Sequence, residues 1–348
     1  MQGRVSRLFI SNFSFMKKFL FFCLLFISPF LLLIGPYVYY DPFKVVRKYE
    51  NYYIVGDGGS VNRNYVSTMN YMNKKDSLHY DSFIFGNSRS LIFFVSEWKK
   101  YISPQSVCYH FSESGGSING LYYKIKLIDN CNEKIKNALL VVDPSLLGCL
   151  EQDGAIFIMP PILTGYKNFP KFHFEHFCQW IDLRFLVLWY QYHMTGIYKS
   201  YMNDFLVKGT DYQYYNPVTN EEPRISDDKL IQTNDYYTIN RLQLFKNKQT
   251  PFVSTPVLDV EKRKKLIEIK SVFNRHHTNC KIIISPCYNQ IKLNPKDSTA
   301  LCEIFGAQNV FDFSGVNKWT SDYHNYYEPN HYLPSVASEL MKIAYSNE

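Results

Sequence analysis

The chain has 348 residues, enough for one large domain with insertions or for two small ones, and 46% of them are hydrophobic, which suits a packed core and excludes wholesale disorder. Lys and Arg number 38 against 31 Asp and Glu, a formal charge of +7, but the basic residues are scattered. No basic stripe with interleaved aromatics is present, so nucleic acid is excluded as a partner.

The first predicted element is Phe19 to Tyr40, a run of 22 residues without a charge. At about 1.5 Å per residue it spans the ~30 Å hydrocarbon core of a bilayer. Arg4, Arg7, Lys17 and Lys18 precede it, and positive residues stay cytoplasmic, so the larger C-terminal part is expected outside. A cleaved signal peptide would have a shorter apolar region, and no A-x-A-like site stands before Asp41. The predicted organisation is a cytoplasmic tail (1–18), a transmembrane anchor (19–40), a stalk or lead-in (41–80) and one extracytoplasmic domain (81–348).

Beyond residue 80 strands and helices alternate. Strands are predicted at 82–86, 106–111, 137–143, 280–285 and 309–313. Helices are predicted at 90–102, 119–130, 258–277, 295–305 and 334–346. The basic run Lys262 to Lys265 reads as the solvated face of the helix whose apolar side is Leu266, Ile269 and Phe273. This alternation predicts an α/β domain with a doubly wound parallel sheet. Between about 150 and 255 the rhythm breaks, and an inserted helical or mixed subdomain covering the active edge is expected there, because a structureless loop of that length is implausible. The eight cysteines form no CxxC pair and no zinc spacing, and no disulfide framework is inferred. Cys280 and Cys287 read as buried strand residues.

Two short segments carry chemistry. Gly86-Asn87-Ser88-Arg89-Ser90 follows the first strand, at the carboxyl edge where open parallel sheets bind ligands. Ser88 there is either an acyl-transfer nucleophile or an ordinary N-cap serine behind a glycine turn. Glu328-Pro329-Asn330-His331-Tyr332 precedes the last helix. An acid three residues before a histidine can fix its tautomer and leave the other ring nitrogen for a nucleophile, or it can be a capping acid beside a loop histidine. His324 with Asp322 competes for the same part. His173 and His176 are too close together for the HExxH zinc helix, and no P-loop or GxGxxG is present, so no metal or cofactor is expected.

Together the two segments resemble the first and last sequence blocks of the SGNH (GDSL-like) hydrolases, in particular the membrane-anchored branch that acylates alginate and teichoic acid. The resemblance covers roughly 80–145 and 278–346. It implies a flavodoxin-like α/β/α fold, with Ser88 as nucleophile, His331 as general base and Glu328, where the family usually has Asp, as the orienting acid. It implies an oxyanion hole made by the N–H of Ser88 and by Gly115 or Gly116 of the SESGGS loop. The family's G-x-N-D block is absent, and Val142-Asp143-Pro144-Ser145 stands in its place.

The function this implies is O-acyl, in the first instance acetyl, transfer to a cell-surface polysaccharide by a single-pass protein of the cytoplasmic membrane whose catalytic domain is periplasmic. The acyl group would come through a membrane-bound acyltransferase partner or a membrane acyl carrier. The alternatives are an esterase that hydrolyses acyl esters, and a non-catalytic scaffold or sugar-binding module of an export complex.

Overall fold

The computed structural model describes residues 2–53, 58–207, 215–246 and 250–346, with side chains from Met16 onward. Helix α1 (Gln2–Tyr40) contains a stretch, Met16–Tyr40, that is long and apolar enough to cross a membrane, with a mean hydropathy of 2.4 and a solvent-exposed surface. Pro29 and Pro36 lie inside it, and each removes the N–H that would bond the carbonyl four residues back. For Pro29 that carbonyl is Leu25 O, and the Ser28 hydroxyl donates to it at 2.9 Å.

The described residues of the 41–80 lead-in pack onto the rest of the chain. Asp41 is buried and accepts from the N–H groups of Val45, Val46 and Arg47, and helix α2 (Arg63–Leu78) puts Tyr71 into the main core. Strand β1 (Ser82–Gly86) follows, then a 3-10 turn at Ser88–Ile92 and a four-residue helix α3 (Val95–Trp98). The longer helix expected at 90–102 does not form. The chain keeps a 3-10 turn instead, in which the Ser90 hydroxyl bonds back to Asn87 O at 2.7 Å, and Phe93 and Phe94 separate this turn from α3.

Strand β2 (Cys108–Ser112), helix α4 (Ile118–Asn130) with Ser117 as its N-cap, and strand β3 (Asn137–Val142) complete the first half. The short helix α5 (Pro144–Gly148) follows β3, and the described residues of the expected insertion are largely helical or loop: α6 (Pro161–Thr164), α7 (Phe169–Trp180), α8 (Leu183–Thr195), α9 (Ile225–Gln232) and α10 (Ile239–Gln243). It divides into two parts. Residues around α7 and α8 pack against the end of α1 in a cluster with Tyr37 and Phe43, whereas Tyr236 and Phe245 join the core beside the C-terminal loop. The second half is α11 (Val260–His276), β4 (Asn279–Ile284), α12 (Pro295–Phe305), β5 (Val310–Asp312), a hairpin of β6 (Tyr326–Glu328) and β7 (His331–Tyr332), and α13 (Pro334–Ala344).

β1 to β5 form one parallel sheet in the order β2-β1-β3-β4-β5. The central strands alternate between two cores, as the period of a strand requires. Phe83, Phe85, Leu140 and Ile282 face the side covered by α4, α11 and α12, while Ile84, Leu139, Val141 and Ile283 face α13. Both faces are therefore covered, as parallel sheets need. The order reverses between β1 and β3, which places a crevice beyond their carboxyl ends. Cys280 is buried in β4 as expected; Cys287 is buried too, but in the loop that follows.

Candidate active site

The chain leaves β1 through Gly86, which has to be glycine. A Cβ there would lie 2.5 Å from Val141 O and 2.8 Å from Ser90 Cβ. Asn87 then turns the chain. Its Oδ1 accepts from Arg89 N at 3.0 Å, and its Nδ2 donates to Asp143 Oδ2 at 2.6 Å. Asp143 caps α5 at the end of β3, accepting from Ser145 N at 2.8 Å and Leu146 N at 3.2 Å. Ser88 stands first in the 3-10 turn, half-buried at the mouth of the crevice.

The expected loop of residues 328–331 is a tight antiparallel hairpin. Pro329 and Asn330 are its tip, and Glu328 and His331 are cross-strand partners. Buried tyrosines fix its register. Tyr332 Oη and Ser285 Oγ are 3.0 Å apart, and Tyr326 Oη donates to Pro286 O at 2.8 Å, both near the end of β4. From the insertion, Tyr237 Oη donates to Tyr326 O at 3.0 Å and Tyr236 Oη to Tyr327 O at 3.2 Å.

These two constructions bring Ser88 Oγ to 2.8 Å from His331 Nε2, across 243 positions of sequence. His331 Nδ1 is hydrogen-bonded to Glu328 Oε1. A carboxylate can only accept, so Nδ1 carries the proton, Nε2 is the acceptor, and the Ser88 hydroxyl donates to it. Burial alone would raise the Glu328 carboxyl, but the hydrogen bond and charge of His331, followed by Arg224, outweigh it and hold the group below its ordinary value. Arg224 Nη1 lies 3.4 Å from Glu328 Oε2, with its guanidinium 4.9 Å from the centre of the Tyr327 ring.

Arg89 joins the two halves. Its Nη1 donates to Asp143 Oδ2 at 2.8 Å and its Nε to Asn330 O at 3.0 Å, so one side chain ties the Ser88 turn to the end of β3 and to the tip of the His331 hairpin. Burial would raise the Asp143 carboxyl, yet the Arg89 charge and the donors of Ser145, Asn87 and Leu146 hold it below its ordinary range. Behind the turn, His110 Nε2 contacts Ser90 Oγ at 2.8 Å. Burial and the charges of Arg63 and Lys124 push His110 down to about 3, so it is neutral and structural. Ser88, Arg89, Ile92, Phe94, Arg224 and His331 line a small cleft at this point, with Leu91, Glu222 and Tyr332.

The two oxyanion candidates separate. Gly116 N donates to Ser114 O at 2.7 Å and is therefore already committed. Gly116 instead seats the Ser88 turn, since a Cβ on it would lie 2.7 Å from Asn87 Cβ, and its φ is +84°. The N–H groups of Ser88 and Gly115 donate to no atom among the described residues. Asp322 and His324 do pair, at 2.7 Å, but on the surface and without contact to Ser88. His176 is buried with its Nδ1 on Phe172 O at 2.8 Å, in the cluster against α1.

Sequence reasoning missed Arg89, Asp143 and Arg224. Asp143 could have been found, because it ends the strand beside β1 at the reversal of strand order. Arg89 stands inside the GNSRS segment itself. Arg224 lies in the irregular insertion, where no periodicity marks it. Comparison of the sequence with known protein families and with curated proteins gives no match.

Proposed function

We propose that the protein is an SGNH-type serine O-acyltransferase that moves an acyl group, in the first instance acetyl, onto a hydroxyl of a cell-surface polysaccharide. The observation that carries this reading is the 2.8 Å contact between Ser88 Oγ and His331 Nε2, with Glu328 behind the imidazole. The strand order β2-β1-β3-β4-β5 supports the flavodoxin-like fold of that superfamily, the apolar α1 supports a single-pass anchor, and the basic Arg4, Arg7, Lys17 and Lys18 before it support a domain on the extracytoplasmic, periplasmic side.

Ser88 Oγ attacks the carbonyl carbon of an acyl ester while its proton passes to His331 Nε2. The oxyanion is held by the N–H groups of Ser88 and Gly115. Collapse expels the donor alcohol, which takes the proton from the imidazolium and leaves an acyl ester on Ser88. A sugar hydroxyl then gives its proton to His331 and attacks that ester, and the reverse collapse frees Ser88 and the acylated sugar. Glu328 stays ionised throughout and stabilises the imidazolium.

The full-length protein in detergent should label with a fluorophosphonate at Ser88, and Ser88→Ala should abolish labelling. Absence of labelling in the folded protein would favour a scaffold. With p-nitrophenyl acetate as donor and a polysaccharide oligomer as acceptor, acetylated oligomer signifies transfer, whereas free acetate alone signifies an esterase.

A further inference from the structure

Helices α7 and α8 bind α1 below its end. Trp180 Nε1 donates to Leu33 O at 2.8 Å, and Tyr190 Oη donates to Leu32 O. Leu32 O is the carbonyl that Pro36 deprives of its helical partner, so the hairpin supplies a hydrogen bond that hydrocarbon could not. Phe177 packs edge-to-face against Tyr37 at 5.6 Å, Trp180 lies tilted against the same ring at 6.0 Å, and Trp189 packs edge-to-face against Tyr40 at 5.1 Å.

The level of these contacts is informative. Counting about 20 residues of span from Phe19, just after Lys18, puts the far boundary of the hydrocarbon near Val38. Leu32 then lies about 9 Å inside that boundary at about 1.5 Å per residue. A hairpin bonded at this level has to share it.

Its surface suits that position. The inner face of α8 is Phe185 and Trp189, both buried. The outer face carries Leu183 (74% exposed), Val187 (60%) and Met194 (82%) at helical spacing, with Tyr190 between them. α7 adds Phe174 at 65% exposure. Between Phe172 and Tyr198 the only charged residues are Glu175, Asp182 and Arg184, and the last two pair with each other at 2.8 Å.

We propose that the α7–α8 hairpin is seated in the leaflet facing the folded domain, with the Leu183–Val187–Met194 stripe among the acyl chains of the bilayer that α1 crosses. The proposal rests on α1 being a membrane span and is independent of the chemistry at Ser88. The hairpin braces the anchor and holds the domain against the membrane surface at a fixed height.

The test uses the full chain in nanodiscs of phosphatidylcholine and phosphatidylglycerol doped with a phospholipid that carries a diazirine in its acyl chain. After irradiation, adducts mapped by mass spectrometry are expected on α1 and on the 183–194 stripe. None is expected at Val260 or Ile239, which are as exposed and apolar but lie elsewhere. Adducts on α1 without adducts on the stripe would overturn the proposal and leave the anchor standing. Absence from both would remove the anchor reading and the proposal with it. Val187→Glu with Met194→Glu should lower labelling of the stripe several-fold while α1 is labelled as before. Unchanged stripe labelling in that variant would show adventitious capture of the probe and would also overturn the proposal.

Discussion

Glu328→Gln keeps the shape of the side chain and removes its charge. The amide can still accept from His331 Nδ1, so what is lost is the attraction between carboxylate and imidazolium once His331 has taken the Ser88 proton. With charge centres about 4 Å apart and an effective dielectric of about 20, that attraction is about 4 kcal/mol. At about 1.4 kcal/mol per tenfold, this is about three powers of ten in rate. Arg224, 3.4 Å from Oε2, already offsets part of the carboxylate's charge, and 28% of the Glu328 side chain is exposed to screening solvent. The expected loss in kcat/KM is therefore about 10²- to 10³-fold, smaller than the ~10⁴ of a fully buried triad acid. Glu328→Asp should keep partial activity, because the charge survives while the reach shortens. The assay is hydrolysis of p-nitrophenyl acetate by the full-length protein, with thermal unfolding run alongside to confirm the fold. An unchanged rate in Glu328→Gln, combined with a dead Asp322→Asn, would refute the assignment and move the site to His324.

Ser88→Ala and His331→Ala should each cost orders of magnitude in rate, and the double variant should be little worse than either, since residues acting as one unit are non-additive; additive losses in the same assay would separate them. Asp143→Asn leaves Arg89 without its buried counter-charge and should cost about 3 kcal/mol in urea unfolding, the low end for a broken buried pair, because Arg89 keeps some exposure. Because the folded Asp143 carboxyl lies below its ordinary value, its contribution is complete above the unfolded pKa near ~4 and is lost as pH falls through the folded one, so the variant should show a flatter acid limb. Gly116→Ala puts a side chain at a φ of +84° against Asn87 and should lower stability by about 1–3 kcal/mol, with a slower fluorophosphonate reaction at Ser88.

The elements with strong periodicity were legible. The five strands and the helices near 119–130, 258–277, 295–305 and 334–346 lie within a few residues of their expected bounds, because buried strands such as Phe83–Phe85 and amphipathic helices such as α11 announce themselves locally. So did the pairing of Glu328 with His331, which needs only a spacing of three. What local pattern could not express was tertiary. The segment 88–98 is a 3-10 turn and one short helix because the Ser90 hydroxyl bonds back to Asn87 O and His110 packs behind it, and 63–78 is a core helix although its sequence is polar. Arg224 reaches Glu328 from an insertion with no repeat. The commitment of Gly116 N to Ser114 O follows from a turn geometry that two adjacent glycines leave open.

The 243 residues that separate Ser88 from His331 set a schedule as well as a geometry. At roughly 5–20 residues per second, a ribosome that has just added Ser88 needs roughly 12 to 50 s more to add His331. During that interval Ser88 has no imidazole beside it, and the Arg89 side chain has no Asn330 carbonyl to hold. On the proposed reading, the hydroxyl stays unreactive while the chain is being made and acquires its reactivity only when the last hairpin docks.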